Sequence, residues 1–346
     1  MKSLLLTTLR NLYVDKSWRV RYVVAEKFVA LSKAVGADIL NDDLVSAFVG
    51  VLKDQEAEVR TAACSQIPGF SALINPNLVI REIIPCVKDL VVDGSQHVRS
   101  AIALQVSALA PIVGKENTIE HLLSLYLQCL KDEFPDVRLN IISKLDSVNQ
   151  VIGIDLLSQS LLPAIVELAE DKLWRVRLAI IDFIPLLAKQ LGMPFFDEKL
   201  SGLCLSWLTD PVFSIREAAS VNLRRLTSVF GCEWAKKNIV PKVLNLTTEA
   251  NHIYRLISLL TLTTLAQVCT VEMTKGQLLP GIATLAKDPV PNIRFNAAKS
   301  LEVLAPVLKA NMPQSVNDTV KPLLAQLNED SDEDVRFFAR QAMVVY

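Results

Sequence analysis

Nine arginines recur at a fixed interval along this 346-residue chain, and their spacing constrains the fold more than any other feature. Seven successive steps are 39 residues long and the last is 42. An acidic residue precedes each arginine by six positions. A period near 40 residues is typical of a stack of helix pairs. The arginines are Arg21, Arg60, Arg99, Arg138, Arg177, Arg216, Arg255, Arg294 and Arg336, and the acids are Asp15, Asp54, Asp93, Asp132, Asp171, Asp210, Glu249, Asp288 and Asp330.

The repeat at 157–195 shows the expected pattern of one unit. Ser158 or Ser160 is predicted to cap a first amphipathic helix. A second helix is predicted from Val176 to Leu191, followed by Gly192, a residue suited to a left-handed helix end. The sequence therefore predicts an all-α fold, a HEAT-repeat α-solenoid. About nine helix–turn–helix units would form a right-handed superhelix.

The whole chain is predicted to be one array, because each helix pair needs neighbours to bury its apolar face. The period divides it into approximate repeats at 1–39, 40–78, 79–117, 118–156, 157–195, 196–234, 235–273, 274–315 and 316–346.

The recurring charges suggest a structural ladder. Each acid would end a first helix and each arginine would begin a second one, so that charges of adjacent repeats could pair laterally and fix their rotation. The alternative is that they are ordinary solvated turn charges, each worth about 0–1 kcal/mol. The predicted ladder includes Asp54, Arg60, Asp93, Arg99, Asp132, Arg138, Asp171, Arg177, Asp210, Arg216, Asp288 and Arg294.

Composition argues against several classes of function. With 36 basic and 37 acidic residues the net charge is −1, so no overall charge attracts nucleic acid or a membrane surface. No segment offers the ~20 uninterrupted apolar residues of a membrane span. There are three histidines and no H-E-x-x-H, Cys/His cluster or G-x-x-x-x-G-K-[ST] motif, so we expect no metal, no cofactor and no enzymatic activity.

The six cysteines form no C-x-x-C pair and lie in apolar stretches. This pattern predicts reduced core thiols and a cytoplasmic or nuclear compartment.

Aromatic residues in the turns are the best candidates for partner binding. Trp18 and Trp174 each precede Arg-Val-Arg in a predicted turn, and tryptophan and arginine are enriched in binding hot spots. Each indole could instead fold back onto the neighbouring repeat. Phe213 is a weaker candidate, whereas Trp207 and Trp234 lie among apolar neighbours and are predicted to be core residues.

Other positions depart from the repeat. The turn from Glu249 to Tyr254 deviates at both ends, which indicates either specialisation or drift. Asn140 and Asn296 occupy a position that is often alanine, and they are predicted to form hydrogen bonds between repeats.

Several stretches closely resemble the scaffold (A, 65-kDa regulatory) subunit of protein phosphatase 2A. Similarity extends from about residue 15 to the C-terminal end, and the first fourteen residues fit poorly. The family has fifteen repeats, so nine arginines imply a resemblance to its C-terminal portion, with about six N-terminal repeats missing. The matching motifs are Lys16-Ser-Trp-Arg-Val-Arg21, Gly114 to His121, Asp132 to Asp146, Leu161 to Gly192 and Phe195 to Lys199.

This resemblance implies a non-catalytic scaffold with two docking surfaces. The turns of the last five repeats would hold the phosphatase catalytic subunit through Trp174, Arg175, Val212, Phe213, His252, Tyr254, Asn292, Asp332, Glu333 and Asp334. Regulatory B-type subunits would contact Ser17, Trp18 and Arg19, with binding weakened by the missing repeats.

Three other classes remain as alternatives. A tubulin-binding TOG-type array also places tryptophan and basic residues in its turns, but this chain has a uniform period and no basic ridge. An importin-like carrier is usually strongly acidic. HEAT-like di-iron hydroxylases contain several His-Glu pairs, whereas this chain has one Glu-His in reversed order.

Overall fold

The computed structural model describes residues 2–35 and 43–346, and every regular element in these residues is helical. Helices alternate as first helix, short turn and second helix, which confirms the predicted all-α array of helix pairs. The chain divides into two compact units, Met1–Ile180 and Ile181–Tyr346. The predicted boundary between the first two repeats, at residues 39 and 40, lies outside the described residues.

The α-helices that begin in the first unit are Lys2–Leu12, Trp18–Glu26, Phe28–Val35, Asp43–Leu52, Ala57–Ser71, Pro76–Leu78, Ile84–Val91, Gln96–Gln105, Ala110–Asn117, Leu123–Leu130, Pro135–Ile142, Leu145–Ile152, Ile154–Leu168 and Trp174–Leu191. Those of the second unit are Met193–Lys199, Ser201–Ser206, Phe213–Phe230, Cys232–Asn238, Val240–Asn245, His252–Ala266, Val271–Met273, Leu279–Leu285, Pro291–Asn311, Pro313–Ser315, Lys321–Asn328 and Glu333–Val344.

Short π-helical and 3₁₀ segments join some of these helices. The π-helical segments are Val79–Ile83, Thr118–Leu122, Thr274–Leu278 and Val316–Val320, and the 3₁₀ segments are Val106–Leu109, Trp207–Thr209 and Leu246–Thr248.

Second helices of consecutive repeats pack side by side. In the first unit Ala57–Ser71 contacts both Trp18–Glu26 and Gln96–Gln105, and in the second unit His252–Ala266 contacts both Phe213–Phe230 and Pro291–Asn311. Within each unit, these repeats therefore bury their apolar faces against their neighbours. Fully burying one large apolar side chain stabilises the stack by about 1.5–3 kcal/mol.

The helices do not begin where the serine caps were predicted. The helix Ile154–Leu168 starts directly after Gly153, so Ser158 and Ser160 lie inside it, and the prediction that either caps it was wrong. Ser158 instead donates a hydrogen bond to the Asp155 carbonyl. Six first helices begin three residues before the predicted repeat divisions, at Pro76, Ile154, Met193, Cys232, Val271 and Pro313.

Glycine makes the link from one repeat to the next. Gly153 has φ 83° and ψ 160°, a conformation that is essentially restricted to glycine. This geometry ends one helix and immediately begins the following one. Positive φ recurs with the 39-residue period at Gly114, Gly153, Gly192 and Gly231.

Aromatic clusters fill part of the core of each unit. Phe28, Phe48 and Phe70 pack with ring centroids 4.5–5.3 Å apart in the first unit. Trp207 and Trp234 are buried in the second unit, as predicted. The Trp234 indole N–H donates to Asp197 Oδ1 at 2.7 Å, which satisfies its one donor.

The cysteines are all free, but they are not all core residues. Cys64, Cys86, Cys129 and Cys204 are buried, whereas Cys232 and Cys269 are only half-buried, so the prediction was too broad. Burial raises the pKa of Cys64 and Cys129 to about 12, which keeps these thiols protonated.

One helical stretch, Gln96–Leu130, is long and apolar enough by length and composition to cross a membrane. Half of its most apolar window is buried within the protein. Gly114, with φ 81° and ψ 174°, divides the stretch into two helices. Both properties match a core segment better than a straight membrane-spanning helix.

We expect Gly153→Ala to lower the free energy of unfolding by about 1–3 kcal/mol, because alanine is strained at this φ and ψ. Urea denaturation followed by circular dichroism measures the effect. Gly94→Ala is the matched control, since a Cβ at either position meets no atom within 4 Å and only Gly153 has positive φ. Equal stability of the two variants would show that the linking glycine is not under conformational constraint.

Candidate protein-docking turns

The turns between the two helices of a repeat are closed by their own arginine and, except at Glu249, by their own aspartate. In the second repeat, Asp54 Oδ1 accepts the backbone N–H of Glu56 at 2.9 Å. Arg60 Nη1 donates back to the carbonyls of Asp54 and Gln55 at 2.6 and 3.1 Å. The carboxylate forms an Asx-type turn, and the guanidinium satisfies carbonyls that the end of the first helix leaves unpaired.

The same arginine reaches the next repeat. Arg21 Nε and Nη2 donate to Asp54 Oδ2 and Oδ1 at 2.6 and 2.9 Å, which is a bidentate pair. Each arginine lies six residues after the acid of its own turn. It lies 33 residues before the aspartate that it binds, or 36 residues in the last pair, and adding these intervals gives the observed steps of 39 and 42 residues. Corresponding ion pairs are Arg60–Asp93, Arg99–Asp132 and Arg138–Asp171 in the first unit, and Arg255–Asp288 and Arg294–Asp330 in the second. We call each such pair a rung of the ladder.

The rungs are largely shielded from water. The side chains of Arg21 and Asp54 are 8% and 7% exposed. Burial alone would raise the pKa of Asp54, but the hydrogen bonds from Arg21 and the Glu56 N–H outweigh it, and the pKa falls below its ordinary value. The hydrogen bond to Asp54 raises the pKa of Arg21. This environment differs from the solvated turn charges of the alternative hypothesis.

Two predicted ladder residues depart from this bidentate geometry. Arg138 reaches Asp171 only through Nη2, at 3.1 Å, and its buried Nε has no partner. Arg216 donates through Nη1 to the carbonyl of Asp210 at 2.7 Å. Arg177 makes the equivalent contact with the Asp171 carbonyl, at 2.6 Å.

In the first unit the two tryptophan turns share one local geometry. The Arg19 guanidinium lies 4.8 Å from the centre of the Trp18 ring, and Arg175 lies 4.6 Å from that of Trp174. Both indoles are half-buried and both arginines are exposed. Adjacent Ser17 is exposed as well. Each turn therefore presents a cation–π pair at the surface, which is a preorganised contact for a partner.

In the second unit the predicted turn residues differ in exposure. Phe213 is 56% exposed, an unusual state for a large aromatic side chain. His252 and Asn292 are exposed, whereas Val212 and Tyr254 are half-buried.

The acidic turn of the last repeat combines two kinds of residue. Asp332 Oδ1 accepts the N–H of Val335 at 3.1 Å and caps the last helix. Glu333 and Asp334 are exposed and are available to a partner. Their carboxylates at the helix N-terminus also complement the helix dipole.

The two asparagines behave differently from each other. Asn140 Nδ2 donates to the carbonyl and the Oγ of Ser100 at 2.9 and 2.8 Å, an inter-repeat contact as predicted. Asn296 Nδ2 instead donates to the carbonyl and Oδ1 of Asn292 in its own helix, so the prediction was wrong there.

Among the described residues no group of three His, Cys, Asp or Glu side chains could hold a metal ion.

Stacked helix pairs joined by this ladder define the chain as a HEAT-repeat α-solenoid. A family model described as PPP2R1A-like HEAT repeat matches residues 37–114, and a general HEAT-repeat model matches residues 278–308.

Curated relatives resemble a short stretch of the chain. The "Serine/threonine-protein phosphatase PP2A 65 kDa regulatory subunit" of Drosophila melanogaster is 51% identical over 58 residues, 17% of this chain and 9% of that protein. The A beta isoform of the 65 kDa regulatory subunit of Homo sapiens is 52% identical over 56 residues, 16% of this chain and 9% of that protein. The corresponding PP2A regulatory protein of Saccharomyces cerevisiae is 45% identical over 61 residues, 17% of this chain and 10% of that protein. The matches thus span about a tenth of these relatives.

Solved structures share the fold over the whole chain. The karyopherin Kap121p bound to the extreme C-terminus of the protein phosphatase Cdc14p matches with TM-score 0.73 at 16% identity, covering 99% of this chain and 37% of that one. Importin beta matches with TM-score 0.60 at 14% identity, covering 99% and 46%. At such low identity the likeness shows the fold alone.

We expect Arg99→Ala to lower the free energy of unfolding by about 3–5 kcal/mol, because Asp132 would be left buried without its partner. Lys53→Ala is the control, since Lys53 and Asp89 form a 4.0 Å pair with side chains 55% and 73% exposed. Such surface pairs contribute about 0–1 kcal/mol. Chemical denaturation measures both variants, and a loss no larger for Arg99→Ala would support solvated turn charges.

The ion pairs of the ladder should also make the free energy of unfolding depend on pH. The hydrogen bond from Arg294 lowers the pKa of Asp330 below its ordinary value of 3.8. A carboxylate with a depressed pKa stabilises the fold above its unfolded pKa, and this stability is lost as pH falls through the folded pKa. The urea concentration at the unfolding midpoint, measured from pH 7 to pH 2, should decrease once the pH is below about 4. This decrease should be less steep for Asp330→Asn than for the exposed control Glu333→Gln. Identical slopes would contradict the assignment.

Proposed function

We propose that this chain is a non-catalytic scaffold subunit of a protein phosphatase 2A-type complex. The observation that carries the proposal is the 51% identity over 58 residues to a 65 kDa regulatory subunit of that phosphatase. The PPP2R1A-like match at residues 37–114 supports the same family. The proposed compartment is the cytoplasm or nucleus.

Catalytic-subunit docking is proposed to use turn residues in each unit. In the first unit, the half-buried Trp174 and the exposed Arg175 form the cation–π pair of the last turn. Tryptophan and arginine are enriched among residues whose truncation costs most binding energy. The indole is already oriented by its own arginine, so little rotamer freedom would be lost on binding.

In the second unit, the exposed ring of Phe213 would provide an apolar anchor. Val212, His252, Tyr254 and Asn292 would add contacts of mixed polarity. The acidic Asp332, Glu333 and Asp334 would meet a basic part of the partner. Asp332 would contribute mainly by fixing the helix start, because its carboxylate already caps that helix.

Regulatory B-type subunits are proposed to contact Ser17, Trp18 and Arg19. These residues reproduce the geometry of the Trp174 turn near the other end of the first unit. Binding is expected to be weaker than that of a fifteen-repeat scaffold of the family, because only one turn of this chain would belong to that surface.

Trp174→Ala is expected to weaken binding to a protein phosphatase 2A catalytic subunit by roughly thirtyfold or more, since truncating a hot-spot residue costs about 2 kcal/mol or more. Trp18→Ala is the matched control, because it removes an indole with the same Arg-stacked geometry and is expected to leave this affinity unchanged. Surface plasmon resonance with the immobilised catalytic subunit measures both, and circular dichroism verifies folding.

Two outcomes would count against the proposal. If the folded wild-type chain does not bind the catalytic subunit, the proposed scaffold function is wrong. If Trp174→Ala and Trp18→Ala weaken binding equally, the assignment of separate docking surfaces is wrong. Cosedimentation with tubulin tests the TOG-type alternative in the same preparation.

A further inference from the structure

One rung of the ladder is missing within the second unit. The residue 33 positions after Arg216 is Glu249, which is exposed, and no carboxylate in the described part of the chain lies within ion-pair distance of Arg216. Arg216 Nη1 donates to the carbonyls of Asp210 and Pro211 at 2.7 and 3.0 Å. Its Nε and Nη2, the atoms that bind aspartate in the bidentate rungs, have no hydrogen-bond acceptor among the described residues, and the guanidinium lies 5.7 Å from the centre of the Phe213 ring.

The substitution of glutamate for aspartate explains the gap. In the neighbouring turn Asp288 Oδ1 accepts the N–H of Val290 at 2.8 Å while the same carboxylate binds Arg255. The longer side chain of Glu249 does not make that turn contact. The Asn251 side chain caps the following helix by accepting the N–H of Ile253 at 3.0 Å, and Arg255 Nη1 holds the turn by donating to the carbonyls of Glu249 and Ala250 at 2.8 and 2.9 Å. The turn is thus rebuilt without placing a carboxylate on Arg216.

Arg216 lines a cavity of about 360 Å³. Arg216 as a whole is only 9% exposed. The cavity wall is apolar at Ile253, Leu256 and Leu260, and Lys299 adds a second positive charge. Glu217 also borders the cavity, but it is exposed to solvent.

The chemistry of the missing ligand follows from the complete rungs. A planar guanidinium with Nε and Nη2 free is suited to bidentate binding of a carboxylate. In the six rungs described above, the chain places an aspartate there. The adjoining apolar wall would accept a leucine-sized side chain, and burying it would add to binding.

We propose that this cavity binds an aspartate side chain of an extended peptide segment from a partner protein, with an apolar residue next to that aspartate. The aspartate replaces the missing rung on Arg216, and the apolar residue lies against Ile253, Leu256 and Leu260. The site does not depend on the partner being a phosphatase.

The first test uses the full chain and N-acetyl-aspartyl-leucine amide as the probe. The side-chain Nε–Hε signal of Arg216, identified by its loss in Arg216→Lys, is followed by NMR during titration. We expect a saturable shift, and at least about tenfold weaker binding of N-acetyl-asparaginyl-leucine amide, because a charged hydrogen-bonded pair is replaced by a neutral one. No saturable shift, or equal affinity for the two peptides, would overturn the proposal.

A pair of variants at position 249 tests the missing rung itself. Glu249→Asp restores the residue used in the other rungs and is expected to weaken aspartyl-peptide binding by at least about tenfold, because the chain's own carboxylate competes for Arg216. Glu249→Ala is the matched control and should bind like the wild type. Unchanged binding by Glu249→Asp, or tighter binding by Glu249→Ala, would contradict an open site. Because these measurements need no phosphatase, they can fail independently of the proposed function.

Discussion

The bidentate contact between the arginine of one repeat and the aspartate of the next is the interaction on which the turns depend. A guanidinium has donors on two sides, so Arg60 can hold the carbonyls of its own turn and the carboxylate of Asp93 at once. Each aspartate in turn also accepts a backbone N–H of its own turn. Every rung therefore fixes the backbone of two turns and the register between them. A lysine could not replace this fork, because its single ammonium does not present parallel donors.

Rigid turns are what make the candidate docking residues usable. Trp18 and Trp174 stand at the first position of their second helices, where the closed turn sets the backbone and the next arginine lies over the ring. The same turns also contain residues whose charge is already committed, such as Asp332 at its helix cap. Exposure and hydrogen bonding together distinguish the residues that are free to bind a partner from those that hold the turn, since a charge that already caps a helix contributes less to binding.

The gap at Arg216 shows how a regular array can acquire a distinct site. Each repeat contacts mainly its neighbours, so one turn can change while adjacent rungs persist. Asn251 caps the helix after the altered turn, and Arg255 still holds the Glu249 carbonyl and binds Asp288. The departure of Glu249 from the repeat was the only signal in the sequence. Lys299 and the apolar wall residues gave none, because their grouping around Arg216 depends on the packing of three second helices.

The sequence by itself determined the helix pairs, the number of turns and the buried positions of Trp207 and Trp234, because helical periodicity and the 39-residue period are local or repeated properties. It did not determine the helix starts, which the positive φ of Gly153 sets in place of Ser158 or Ser160. Only the tertiary structure decided which asparagine bonds to another repeat, which cysteines are half-buried and which arginine lacks a carboxylate. Those outcomes depend on distances between side chains of different repeats, and a residue's own repeat does not contain that information.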